Sequence, residues 1–153
     1  PLKELSAALD SQSIDIKLTK NIETAIWEKY IALVAISGAT CLTRLPLRTL
    51  MANEQTRALI ENIMVEVISL AKLKNVDVAD DIIFQHKEFL NSVSPKMTSS
   101  MLTDLKNGNR LELPWLSGGV TRMAKKFGLE VPVNQTIEAA VKLYESGKPN
   151  LYK

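Results

Sequence analysis

Residues Asn21–Thr40 form a nearly uninterrupted apolar segment, and this segment most strongly limits what the chain can fold into. Its apolar side chains recur around the whole circumference of a helix: Ile22, Ile26, Trp27, Ile31, Leu33, Val34 and Ile36, with Ala25, Ala32 and Ala35 between them. A helix without a polar face is a buried helix, so we expect other helices to surround this one. Asn21 fits the N-cap position, and Glu23 lies in the first turn, where the helix dipole favours negative charge.

Lys29 is the one cation in the middle of this apolar pattern. Leu33 and Ser37 follow it at helical spacing, so the three residues lie on one stripe of the helix. A lysine in a buried helix either extends its ammonium group to water or has a specific partner. The local pattern leaves both interpretations open.

The composition excludes several classes of protein. The chain has 153 residues, of which 46% are hydrophobic and 24% charged, as expected for one soluble domain with a real core. A formal net charge of +2 is too small to favour nucleic acid or a membrane surface as partner. Cys41 is the only cysteine, which favours a cytoplasmic location. No uncharged apolar run reaches the ~20 residues of a membrane span.

The first twenty residues have a different pattern of apolar and polar side chains from the rest of the chain. Residues 2–9 have the pattern of a short amphipathic helix, and Ile14–Thr19 alternate apolar and polar side chains as a strand does. Because a lone strand needs a partner, we expect residues 1–20 to be the tail of an upstream domain. Pairing with a second copy in a dimer is the open alternative. Residues 21–148 are then a helical domain, and residues 149–153 a frayed tail.

The remainder of the chain predicts an all-α fold. The predicted helices cover Leu47–Met51, Asn53 to about Lys74, Asp80 to about Val93, a segment from Thr98–Ser100 to Asn107-Gly108, Pro114–Phe127, and a last helix from Val133 or Asn134. We expect Glu61, Glu66 and Lys72 to face water or another subunit. The helix that starts at Asp80 is expected to bury Ile82, Ile83, Phe89, Leu90 and Val93, and the inner face of the last helix to carry Ile137, Ala140, Val141 and Tyr144. We expect His86 to be a core or interface histidine with one hydrogen bond, and we predict no metal site.

Two further segments have a pattern that points to chemistry. Hydroxyl side chains at Thr98–Ser100 either cap a helix or form a site for a carboxylate or phosphate group, and both interpretations remain open. Glu112 lies between leucines and is expected to be partly buried. Gly118-Gly119 inside a predicted helix cost about 2 kcal/mol in helix propensity, which indicates close approach of another helix or a ligand. The chain has no glycine-rich nucleotide-binding motif.

Several of these residues together resemble the C-terminal domain of ketopantoate reductases (2-dehydropantoate 2-reductases). The resemblance is carried by WEK at Trp27–Lys29, by SSML at Ser99–Leu102, by Glu112 thirteen residues after Ser99, by Gly118 six residues later, and by GLEVPVN at Gly128–Asn134. It extends from about Ile14 to Tyr144. It implies an all-helical domain of the 6-phosphogluconate dehydrogenase type that follows an N-terminal Rossmann domain.

The resemblance also implies a reaction and a set of residue roles. In the family, NADPH transfers a hydride to the 2-oxo group of ketopantoate and gives pantoate for pantothenate synthesis. Lys29 matches the family's proton donor, Ser100 a serine that binds substrate, and Glu112 a glutamate at the junction of cofactor and substrate. Ser37 occupies another substrate-binding position. The implied partners are a small 2-oxo acid, the chain's own Rossmann domain and a second copy in a homodimer.

The chain departs from the family pattern at the substrate. Well-studied members of the family have asparagines four and eight residues after the lysine, where this chain has Leu33 and Ser37. A leucine cannot replace an amide that binds a hydroxyl or carboxylate. The acceptor could therefore be a different, more apolar 2-oxo acid. A helical dimerisation domain that kept the fold and lost catalysis is the competing interpretation.

Overall fold

The computed structural model describes residues 2, 4–6 and 18–149, and within these residues the chain is helical and contains no strand. From Ile22 onward, seven α-helices follow one another: α1 Ile22–Thr43, α2 Leu47–Ala52, α3 Glu54–Leu73, α4 Ile82–Ser92, α5 Ser100–Asn107, α6 Ser117–Lys126 and α7 Pro132–Val141, the last followed by a 3₁₀ turn at Lys142–Tyr144. The all-α prediction is therefore confirmed.

Helix α1 is the centre of the domain, as its apolar pattern predicts. It packs against α3, α5 and α7, and its second half from Val34 to Cys41 is buried on every side. The Asn21 side chain accepts a hydrogen bond from the Thr24 N–H and caps the helix as predicted. By length and composition this helix could cross a membrane, but 56% of its apolar window is buried in the fold, as in the core helix of a soluble protein.

Local capping chemistry explains where the other helices begin and end. Asn53 accepts a hydrogen bond from the Thr56 N–H at the start of α3, and Ser99 accepts one from the Leu102 N–H at the start of α5. Gly108 ends α5 in the left-handed region, at φ 72°, where a glycine is not strained. These caps confirm the predicted boundaries of α3 and α5.

The hydrophobic core surrounds α1 and includes buried side chains of α2, α3, α4, α5 and α7 and of the segment before α6. Its largest fully buried side chains are Ile31, Leu47, Leu50, Ile60, Ile63, Met64, Leu70, Leu90, Met101, Leu102, Leu113 and Ile137. A core of this extent is the main favourable term in folding a domain of this size. Small residues in α1 allow close approach, because a Cβ on Gly38 would lie 3.0 Å from Ile137 Cδ1 in α7.

Four predictions of side-chain environment were wrong. Glu66 does not face water, because its carboxylate accepts hydrogen bonds from the first turn of α7. Phe89 was expected to be buried but is 51% exposed, since α4 buries Ile82 and Leu90 instead. Ala140 lies on the outer side of α7 and is exposed. Glu112 was expected to be partly buried but is exposed.

The domain limits at the two ends of the chain stay predictions. The predicted strand Ile14–Thr19 falls mostly on residues outside the described part, and residues 18–20 have no regular structure. Residues 150–153 of the predicted frayed tail also lie outside it. Gly147 is buried, and a Cβ there would lie 2.7 Å from the Gly108 carbonyl oxygen, so the ordered packing extends at least to this residue.

Candidate functional site

The first half of α1 exposes one apolar stripe with Lys29 at its centre. Ile22 is 64% exposed, Ile26 59% and Leu33 42%, and Lys29 lies between them and is also exposed. The spacing 22, 26, 29, 33 places these four side chains on one line along the helix. The apolar composition of the helix predicted burial on every side, and for its first half this prediction is wrong. Its N-terminal half presents a lysine flanked by exposed apolar side chains.

The same line continues under the start of α5. Ser37 is only 4% exposed, and Thr40 is fully buried. The hydroxyl oxygens of Thr40 and Ser99 lie 2.7 Å apart, so one of them donates a hydrogen bond to the other. Lys29 and Thr40 are about 16 Å apart along the helix axis at the standard rise per residue. Leu33 and Ser37 occupy the stripe between these two points.

The two neighbouring serines at the start of α5 have different roles. Ser99 is the buried N-cap, which confirms the capping interpretation for this residue. Ser100 is the first helical residue and is exposed. The Thr40–Ser99 contact therefore fixes the end of α5 from which Ser100 is presented. An exposed hydroxyl beside free helix N–H groups can bind an anionic group of a ligand.

Glu112 lies on an irregular segment that is attached to α1 beside Lys29. The Glu112 carbonyl oxygen accepts hydrogen bonds from the N–H groups of Trp115 and Leu116, at 2.9 and 3.2 Å. The Tyr30 hydroxyl, from the residue next to Lys29, lies 2.9 Å from the Trp115 carbonyl oxygen and 3.1 Å from that of Leu116. We call residues 112–116 the Glu112 loop.

The double glycine of α6 is explained by close packing. A Cβ on Gly118 would lie 2.9 Å from Glu138 Oε1, and one on Gly119 would lie 3.0 Å from the Tyr30 hydroxyl oxygen. Both distances are shorter than ordinary carbon–oxygen contact. The predicted close approach is therefore confirmed for another helix: Glu138 comes from α7 and Tyr30 from α1.

Burial sets the protonation of three side chains near α1. Burial raises the pKa of Tyr30 to about 12, with a smaller opposing effect of Arg122, so the hydroxyl remains a neutral donor at physiological pH. Burial likewise raises the pKa of Cys41 to about 11, which leaves its thiol protonated and unreactive. Burial lowers the pKa of His86, whose Nε2 lies 3.0 Å from the Glu28 carbonyl oxygen. This single contact agrees with the prediction for His86.

The structure thus connects the predicted site residues through α1 rather than through direct contacts with one another. Lys29 and Ser37 lie on the helix itself, Thr40 holds the segment of Ser100, and Tyr30 holds that of Glu112. Sequence reasoning did not identify Tyr30 or Thr40. The sequence signal for them is weak: Tyr30 is adjacent to Lys29, and Thr40 lies on the stripe of Lys29, eleven residues after it.

Comparison with known proteins gives the family. Residues 21–145 match the family described as ketopantoate reductase PanE/ApbA C terminal. The chain is 29% identical over 147 residues to the uncharacterised oxidoreductase YkpB of Bacillus subtilis, covering 96% of this chain and 48% of that protein. It is 26% identical over 139 residues to 2-dehydropantoate 2-reductase of Halobacterium salinarum, covering 91% of this chain and 46% of that protein.

A solved structure agrees with the sequence match. The PanE/ApbA family ketopantoate reductase from Ralstonia eutropha JMP134 superimposes with a TM-score of 0.85 at 27% identity, covering 94% of this chain and 48% of that one. The chain thus spans about half the length of the proteins that it matches. It belongs to the ketopantoate reductase family, and residues 21–145 correspond to that family's helical C-terminal domain.

Proposed function

We propose that this chain is the substrate-binding and dimer-forming half of an NADPH-dependent 2-oxo acid reductase. The proposed acceptor is 2-dehydropantoate (ketopantoate), which is reduced to pantoate in pantothenate biosynthesis. The supporting observation is the exposure of Lys29 in the first half of the core helix, with the segments of Ser100 and Glu112 both hydrogen-bonded to that helix. A row of exposed apolar side chains around one cation is typical of a surface that a ligand or another domain covers.

Lys29 is the proposed catalytic acid. When bound, a nicotinamide cofactor supplies a hydride, and reduction leaves negative charge on the former carbonyl oxygen of the substrate. An ammonium group beside that oxygen stabilises the charge and donates the proton that completes the alcohol. The exposed ammonium of Lys29 can approach a substrate from α1 without first leaving a buried environment.

The remaining predicted residues would bind rather than react. Ser100 offers a hydroxyl donor to the substrate carboxylate. Ser37 lies nearly buried on the stripe between Lys29 and α5 and offers a second hydroxyl to the substrate. Glu112 offers carboxylate oxygens to hydroxyl or amide donors where cofactor and substrate meet. Since this sequence has no dinucleotide-binding motif, the cofactor would be held mainly by a Rossmann domain outside it.

We also propose a homodimer in the cytoplasm. Exposed large apolar side chains such as Phe84, Trp115 and Leu143 offer surface for self-association. The single cysteine is buried, which suits a reducing compartment.

A second candidate acceptor is a more apolar 2-oxo acid. Leu33 is 42% exposed one helical turn from Lys29, at a position where the family has an asparagine. A substrate lying against Leu33 would bury apolar surface there, whereas a substrate hydroxyl at the same place would lose its hydrogen bond. This observation favours an acceptor with an unsubstituted hydrocarbon body.

The test uses the full-length parent protein. NADPH oxidation is followed with ketopantoate and with a panel of other 2-oxo acids, for wild type, Lys29→Ala and the control Lys74→Ala, an exposed lysine at the end of α3. We expect ketopantoate turnover that falls by several orders of magnitude only in Lys29→Ala. Activity confined to another acid would support the second acceptor. No activity on any acid would sink both proposals and favour a non-catalytic dimerisation domain.

A further inference from the structure

Tyr30 connects the helix of Lys29 to the Glu112 loop. Its hydroxyl is the donor, because the two nearby atoms, the carbonyl oxygens of Trp115 and Leu116, can only accept. One O–H group donates to either carbonyl or is shared between both. The Tyr30 ring packs edge-to-face against the Trp27 ring, with 5.6 Å between the two ring centroids. The position of the hydroxyl is therefore fixed by packing.

Hydrogen bonds within the loop connect Glu112 to the two residues whose carbonyl groups Tyr30 contacts. The N–H groups of Trp115 and Leu116 both donate to the Glu112 carbonyl oxygen, so residues 112–116 form one compact turn. Arg122 in α6 donates to the Pro114 carbonyl oxygen at 2.6 Å and connects the loop to α6. Tyr30 is the anchor that comes from α1, next to the proposed acid Lys29.

The sequence of α6 is adapted to this contact. Glycine is a poor residue for a helix interior, yet Gly119 lies in α6. Its missing side chain leaves room for the Tyr30 hydroxyl oxygen, which would lie 3.0 Å from a Cβ. The raised pKa of Tyr30 agrees with a hydroxyl that keeps its proton and remains a donor.

We propose that Tyr30 is a positioning residue that holds the Glu112 loop at a fixed place beside Lys29. The inference rests on the proposed function to the extent that Glu112 contacts the nicotinamide cofactor. Tyr30 itself touches neither cofactor nor substrate in this proposal. Its removal should therefore weaken cofactor binding through Glu112 and leave the proton transfer from Lys29 largely intact.

The experiment compares Tyr30→Phe, Glu112→Gln and the double variant in the full-length protein. The measured quantities are the NADPH dissociation constant, from its change in fluorescence on binding, and kcat with the accepted 2-oxo acid. Amide hydrogen exchange at Trp115 and Leu116 reports on the loop without any turnover. Tyr144→Phe is the matched control, since the Tyr144 ring lies against Arg44 and its hydroxyl makes no hydrogen bond within the described part of the chain.

We expect Tyr30→Phe to raise the NADPH dissociation constant roughly five-fold, the ratio that the loss of one neutral hydrogen bond gives, while kcat changes much less. The Trp115 and Leu116 amides should exchange faster in Tyr30→Phe and unchanged in Tyr144→Phe. In the Glu112→Gln background, Tyr30→Phe should have little further effect on binding, because the two residues act through one contact.

Three results would overturn the inference: unchanged loop exchange, an unchanged dissociation constant, or an equal loss in the Glu112→Gln background. Absence of turnover in the wild type would refute the proposed function alone, since binding and exchange still decide the role of Tyr30. If Tyr30→Phe does not fold, Gly119→Ala displaces the hydroxyl with the tyrosine retained, and the same outcomes apply.

Discussion

Glu66 in α3 and Asn134 in α7 are joined by two hydrogen bonds that end on the same carboxylate oxygen. Glu66 Oε2 accepts from the Asn134 backbone N–H at 2.9 Å and from the Asn134 side-chain Nδ2 at 2.7 Å. The other oxygen, Oε1, accepts from the Val133 N–H at 2.7 Å. A side chain from one helix therefore caps the N-terminus of another, where the helix dipole also favours its negative charge.

This cap predicts a marked loss of stability in Glu66→Ala. The variant leaves two backbone N–H groups and the amide of fully buried Asn134 without their acceptor. We expect the free energy of unfolding to fall by about 1–3 kcal/mol, the range for unsatisfied buried polar groups. Urea unfolding of the wild type and the variant measures the difference.

Glu61→Ala is the matched control on the same helix. Glu61 pairs with Lys87 at 2.8 Å, but both side chains are about one-third exposed. Water screens such a pair, so its removal should cost less than about 1 kcal/mol. Equal losses in Glu61→Ala and Glu66→Ala would contradict the capping role of Glu66.

His86 predicts a dependence of stability on pH. Burial lowers its pKa in the fold below the ordinary value, whereas in the unfolded chain the pKa is about 6.5. Below that pH the unfolded state binds a proton that the folded state resists, so stability falls with falling pH and then levels off below the folded pKa.

The measurement is the free energy of unfolding of wild type and His86→Gln across this pH range. Contributions from the carboxyl groups are common to both proteins and cancel in the difference. Relative to the variant, the wild type should lose stability only below about pH 6.5. A wild type that gains relative stability on acidification would show that the protonated imidazole is favoured in the fold.

Gly119→Ala should have opposite effects on the free energy of unfolding in the wild type and in Tyr30→Phe. Alanine is a better helix former by about 1 kcal/mol, but its Cβ would lie 3.0 Å from the Tyr30 hydroxyl oxygen. We expect destabilisation in the wild type, and a gain of about 0.5–1 kcal/mol in Tyr30→Phe, where the hydroxyl is absent. A double-mutant cycle on the free energy of unfolding measures this coupling.

Gly118→Ala provides the control for that cycle. Its Cβ would meet Glu138 Oε1 at 2.9 Å and the Leu113 carbonyl oxygen at 3.0 Å, and neither atom belongs to Tyr30. The substitution should therefore destabilise both backgrounds to the same extent. If Gly119→Ala also changes the free energy of unfolding equally in the wild type and in Tyr30→Phe, the close contact with the hydroxyl does not explain why residue 119 is glycine.

Leu33→Asn should change the choice of acceptor in the full-length enzyme. Restoring an amide one turn from Lys29 offers a hydrogen bond to a substrate hydroxyl and removes an apolar contact. We expect the ratio of kcat/KM for ketopantoate to that for an unhydroxylated 2-oxo acid to rise roughly ten-fold. Leu42→Asn, at an exposed leucine of α1 off the stripe, should leave the ratio unchanged. A constant ratio in Leu33→Asn would exclude Leu33 as a determinant of specificity.

Local signals predicted most of the helices because their causes are local. Asn53 and Ser99 cap helices through their own side chains, and Gly108 ends one through its own backbone freedom. The same is true of Asn21 at the start of α1. These interactions join residues a few positions apart, so the sequence around each one contains the information.

The candidate site was predictable only by resemblance to a family. Lys29, Ser100 and Glu112 came from matched motifs, and Ser37 from a position where this chain departs from the family's asparagine. No local pattern distinguishes Ser100 from its neighbour Ser99. Their different roles follow from packing, because the Ser99 hydroxyl contacts Thr40 of α1, whereas Ser100 is exposed.

By itself, the sequence determined the all-α class, the limits of α3 and α5, and a central apolar helix containing Lys29, because capping and apolar periodicity act within one turn or one face. The tertiary structure decided which half of that helix is exposed, that Glu66 caps α7, and that Tyr30 holds the Glu112 loop. Each of these depends on atoms from segments far apart in the chain. Such contacts are formed only when the helices pack, and no local pattern of residues encodes them.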